Sequence, residues 1–100
     1  MLKHIVLFKL KDQAVGAGKD QNARRLKAEL EALPGKIPQI RKMEVGINMV
    51  PSEAAYDVAI YSEFTDKGAL EIYQKHAEHM KVVELVKEVA AGRAVVDYII

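Results

Sequence analysis

The chain has no cysteine. That excludes disulfides, thiolate metal sites and cysteine nucleophiles. Apolar runs are short: "IVLF" is far from the ~20 residues a helix needs to cross a bilayer. The opening "MLKHIVLFKLKD" does not read as a secretion signal, because Lys3, Lys9 and Lys11 interrupt it. Linkers, low-complexity tracts and internal repeats are absent, so residues 1–100 read as one domain. No glycine-rich phosphate loop is present, since the "GAG" at 16–18 lacks both the fingerprint and a preceding βα turn. There is no G-x-S-x-G elbow and no H-E-x-x-H pair of zinc ligands. These absences lead to the expectation of a soluble cytoplasmic protein with no membrane partner.

Charge is nearly balanced at +1, but it is unevenly placed. Residues 1–42 carry ten basic and four acidic side chains; residues 43–100 carry five and ten. In so small a domain two opposite-sign segments lie side by side and largely cancel, so no nucleic-acid partner is expected. The third strand, "YDVAIYSEF", also lacks the basic-glycine start of an RNA-recognition sheet and carries Asp57 and Glu63.

"HIVLFKL" is rich in β-branched and aromatic residues and predicts a first strand. Leu2, His4, Val6, Phe8 and Leu10 share one face; Lys3, Ile5, Leu7 and Lys9 share the other. "KDQAVGAGKD" reads as a loop. Ala23, Leu26, Leu30 and Leu33 recur at helical spacing until Pro34-Gly35. "KMEVGINMV" and "YDVAIYSEF" are the second and third strands. Thr65 or Asp66 offers an N-cap oxygen for a short helix bearing Leu70, Tyr73 and His76. A further helical stretch, "HMKVVELVKEVAAG", is expected to bury Met80, Val83, Val86 and Val89 and to end at Gly92. "RAVVDYII" closes the chain as a strand. The order is β-α-β-β-α-β with a split second helix, the ferredoxin-like α+β pattern. Apolar residues on both faces of the first strand predict a homodimer through the free sheet face.

Four pieces in this order, "MLKHIVLFKLKD", "LPGKIP", "EVGINM" and "YQKHAEH", resemble the stress-responsive α/β-barrel (Dabb) family over the whole chain. The resemblance implies protomers paired through their sheets into a dimeric α/β barrel. It extends to polyketide cyclases of the olivetolic-acid type, which close a poly-β-keto chain without a cofactor. On that comparison His4 falls on their first-strand histidine, Tyr73 on their pocket tyrosine and His79 on their general base. His76 matches a histidine common in the motif. Val58 stands where those enzymes have a third-strand histidine, which implies an apolar wall in place of a polar group. Quinol monooxygenases share the shape, but no residue here selects their chemistry.

The expectation is therefore a pocket between sheet and helices for a small apolar or aromatic molecule. His4, Tyr73 and His79 would be its reactive groups, with Val58 and His76 lining it. No cofactor and no metal are expected. The alternative is a cofactor-independent cyclase or lyase with His79 as general base. Each residue also has a plain structural reading: His4 as a hydrogen-bonded core histidine, Tyr73 as packing, His79 as a helix cap, His76 as a solvated side chain. A further possibility is that "HAEH" pairs His76 and His79 on a metal, which would need a third ligand.

Overall fold

The alternation seen in the first strand becomes the framework of the molecule. The computed structural model describes residues 1–100 as β1 (Leu2–Leu10), β2 (Gln13–Ala14), β3 (Ala17–Gly18), α1 (Lys19–Glu31), a 3-10 turn (Leu33–Gly35), β4 (Lys42–Ile47), β5 (Val58–Phe64), α2 (Lys67–Lys75), α3 (Ala77–Val89) and β6 (Ala90–Ile99). The main strands form one antiparallel sheet in the order β4-β5-β1-β6. Even-numbered residues of β1 are buried beneath the helices. This is the ferredoxin-like α+β fold. The core joins Val6, Phe8, Ile60 and Phe64 of the sheet to Leu26 and Leu30 of α1 and Val82, Leu85 and Val89 of α3.

The other sheet face has no cover. Ile5, Leu7 and Ala94 are partly accessible there, and Val96 is 52% exposed. These residues are neighbours by register, Ile5 opposite Val96 and Leu7 opposite Ala94. Lys3 closes one end of this face with an ion pair to Glu63 at 2.8 Å, and the Tyr61 hydroxyl donates to the same carboxylate at 2.6 Å. Hydrogen bonding from Lys3 holds the Glu63 carboxyl below its usual range.

Three local expectations are corrected. The loop at 11–20 contains a hairpin, β2–β3, turned at Val15 and Gly16 with φ of 47° and 75°. Two consecutive left-handed residues make the tight turn, and the buried Asn22 amide ties it down by donating to the carbonyls of Ala14 (3.0 Å) and Ala17 (3.3 Å). Helix α3 buries Val89 as expected, but its other buried residues are Val82 and Leu85 rather than Met80, Val83 and Val86. Met80 is 42% exposed, while Val83 and Val86 are half-buried beside a cavity. The helix also stops before Gly92: Ala90 is already extended (φ −85°, ψ 136°), and Lys11 donates to the Val89 carbonyl at 2.9 Å. Pairing with β1 takes over the backbone there, and Gly92 lies inside β6 opposite Lys9.

Candidate functional site

The cavity lies between the sheet and α2–α3 and holds about 360 Å³. That is the small end of the ~300–1,000 Å³ typical of ligand sites. Its floor is His4, Val6 and Phe8 from β1 and Ile60 from β5; its roof is Tyr73, His79, Val82, Val83 and Val86.

His4 is only 4% exposed. Antiparallel register sets it directly opposite Asp97 of β6. The His4 Nδ1–H donates to the Asp97 carboxylate. A carboxylate oxygen accepts this bond, so Nδ1 carries a hydrogen, and in the neutral ring the lone pair is on Nε2. The strand is further pinned there by the Ser62 hydroxyl, which donates to the His4 carbonyl at 3.0 Å.

Tyr73 is 2% exposed, and its ring packs on Phe64 at a centroid distance of 5.0 Å. Burial pushes its phenol up to about 12, so near neutral pH it is a hydrogen-bond donor and not a base. His79 follows in the first turn of α3, with its ring centroid 4.3 Å from that of Tyr73. His79 Nδ1–H donates to the Gln74 carbonyl at 3.1 Å, again leaving Nε2 with the lone pair. Burial lowers the His79 pKa below its ordinary value; the Gln74 bond opposes this, and the nearby His4 and Arg93 add to it. The uncharged form of the ring is therefore favoured.

No sealed side-chain nitrogen or oxygen in the protein lacks a hydrogen-bond partner. Neither His4 Nε2 nor the Tyr73 hydroxyl is hydrogen-bonded within the chain, so both atoms open to the cavity they line. His4, Tyr73 and His79 thus converge, with His4 and Tyr73 centroids 6.3 Å apart.

The two other expected lining residues do not reach the cavity. Val58 is buried to 1% at the far start of β5, opposite Phe8 and Ile47, and borders a separate depression with Leu7 and Tyr56. Ile60, one pleat nearer His4, supplies the apolar wall instead. His76 is the N-cap of α3: its Nδ1 accepts from the Glu78 amide at 3.0 Å. That bond uses the Nδ1 lone pair and puts the neutral ring's proton on Nε2, and no three His, Asp or Glu side chains gather to hold an ion. Asp97, Gln74, Lys87 and Arg93 were missed. The first strand begins at Leu2 and the last ends at Ile99, and simple end-to-end pairing of the two would have found Asp97.

The family model of the Stress Responsive A/B Barrel Domain, Dabb, matches residues 2–100. The chain belongs to that family. An uncharacterised protein of Streptomyces coelicolor is 39% identical over 98% of this chain and 98% of its own length. A dimeric ferredoxin-like protein of unknown function from Bacteroides fragilis is 40% identical, with a TM-score of 0.86 over 99% of this chain and 95% of that one. The hydroxynitrile lyase of Passiflora edulis superposes with a TM-score of 0.83 over 99% of this chain and 92% of that one. At 17% identity that last likeness shows the fold alone. No helix of this Dabb-family chain is long and apolar enough to cross a membrane.

Proposed function

We propose that this Dabb-family chain is a homodimer that binds a small apolar or aromatic molecule in the cavity beneath α2 and α3. The carrying observation is that two otherwise buried residues, His4 and Tyr73, each turn one free polar atom to an apolar cavity of ligand size. Apolar walls supply affinity, and a few convergent polar groups fix orientation. Dimerisation is supported by the open face around Ile5, Leu7, Ala94 and Val96 and by the dimeric state of the Bacteroides fragilis relative.

Binding is tested by titrating labelled protein with 2-naphthol and following backbone amide NMR shifts. Shifts are expected at Tyr73, His79, Val83 and Val86. Shifts on β4 or on the free sheet face, with none at these four, would sink the proposal.

A second reading is cofactor-independent proton transfer next to a carbonyl. It is favoured by the Asp97–His4 bond, because a carboxylate that fixes an imidazole tautomer is what a general base requires. On this reading His4 or His79 Nε2 takes the carbon-bound proton, and the Tyr73 hydroxyl donates to the enolate oxygen. Solvent-deuterium uptake at the α-carbon of phenylacetone should then exceed that in buffer and fall in His4→Gln or His79→Gln. No acceleration by the wild type would leave binding alone.

A further inference from the structure

β6 turns Arg93, Val95 and Asp97 toward the helices, as the pairing of Phe8 with Arg93 and of His4 with Asp97 requires. Arg93 and Asp97 are four residues apart on one strand, about 13 Å at ~3.3 Å per residue, too far to pair with each other. Asp97 is taken by His4. Arg93 takes part in none of the chain's ion pairs. It makes no side-chain hydrogen bond either, although it lines the cavity.

The charges around the cavity are one-sided. Lys87 is the other cation on its wall, held by Glu84 at 3.3 Å, and no carboxylate lines it. The field of Arg93 reaches the interior, since it acts to lower the pKa of both Tyr73 and His79. Arg93 is exposed to solvent as well as lining the cavity, and a cation with no counter-charge there attracts an anion that enters. The guanidinium is a planar fork that matches a carboxylate with two parallel hydrogen bonds.

We propose that the ligand of this cavity is an apolar or aryl carboxylate, its acid group held by Arg93 at the end of the cavity remote from Asp97 and its apolar body lying on Val6, Phe8, Val83 and Val86. This rests on the cavity being a ligand site. Arg93 would then select the ligand, while the His4–Tyr73–His79 group faces the ligand's other end.

The test compares 4-phenylbutanoate and octanoate with their uncharged primary amides by isothermal titration calorimetry on the full chain. Wild type should bind each acid roughly tenfold or more tightly than its amide, as expected for charge-assisted hydrogen bonds. Arg93→Leu should remove that preference and leave amide affinity intact, and Arg93→Lys should keep part of it. Equal binding of acid and amide by the wild type would overturn the carboxylate proposal and leave the apolar cavity standing. A preference that survives in Arg93→Leu would overturn the role of Arg93. No binding of any of the four compounds would overturn both this inference and the binding function beneath it.

Discussion

Replacing Tyr73 by Phe separates what its ring does from what its hydroxyl does. The ring touches Phe64, His79 and His4, at centroid distances of 5.0, 4.3 and 6.3 Å, and Phe keeps all three contacts. The hydroxyl has no partner in the protein, so the variant breaks no intramolecular hydrogen bond. A lost hydrogen bond would cost about 0.5–1.5 kcal/mol; here stability should stay within about 0.5 kcal/mol of wild type. Tyr73→Ala is the contrast, removing the whole ring from the core at about 3–5 kcal/mol. Affinity for 2-naphthol should behave differently, falling roughly two- to tenfold in Tyr73→Phe as one hydrogen bond to the ligand disappears. Urea unfolding at fixed protein concentration gives the first quantity and calorimetry the second. The pH axis adds a check. Tyr73 has a folded-state pKa raised from 10.0 to about 12, so its contribution is complete below pH 10 and is lost as pH rises toward 12. Tyr73→Phe should lack that alkaline loss. A destabilisation above about 1.5 kcal/mol at unchanged m would show that the hydroxyl holds the fold. Unchanged 2-naphthol affinity would show that it does not face the ligand.

Three further outcomes are expected. His79 has a depressed folded-state pKa, so the unfolded chain takes up its proton first; stability is complete above about 6.5 and falls with acidification until the folded ring also protonates. Chemical denaturation from pH 7.5 to 5 should show this fall reduced in His79→Gln, and an identical pH profile would refute the assignment. His76→Ala removes the α3 cap and should cost about 1 kcal/mol, while His76→Asn should restore it; equal urea midpoints for all three proteins would contradict the capping role. Leu7→Lys places a charge on the open sheet face and should give monomers in sedimentation velocity at micromolar concentration; a native protein that is already monomeric would remove the dimer proposal.

Strong periodicity made the sheet and its helix-facing residues legible. Leu2, His4, Val6, Phe8 and Leu10 needed only the two-residue repeat of a strand, and all five are buried. The hairpin at Gln13–Gly18 was hidden because its turn uses Val15, a β-branched residue in the left-handed region, where Asn or Gly would have announced it. The face of α3 was misjudged for a different reason. Val82, Val83, Leu85, Val86 and Val89 form a broad apolar band, and composition alone does not divide it between core and cavity. Asp97 and Arg93 were passed over because each looks like an ordinary strand charge until β6 is set in register against β1.

The convergence of Tyr73 and His79 depends on a residue outside the cavity. Six positions apart on an unbroken helix, they would point about 120° away from each other, at roughly 100° per residue. Their rings instead lie 4.3 Å apart, because His76 is extended (φ −66°, ψ 137°) and separates α2 from α3. Breaking a helix leaves orphan amides at the new N-terminus. His76 satisfies one of them with its own ring nitrogen. The histidine that motif reasoning set in the pocket is therefore the one that makes the pocket geometry possible, by stabilising the break that turns His79 onto Tyr73 and above His4. It follows that damage at His76 should reach the site through the angle between two helices, with no loss of any group that touches a ligand.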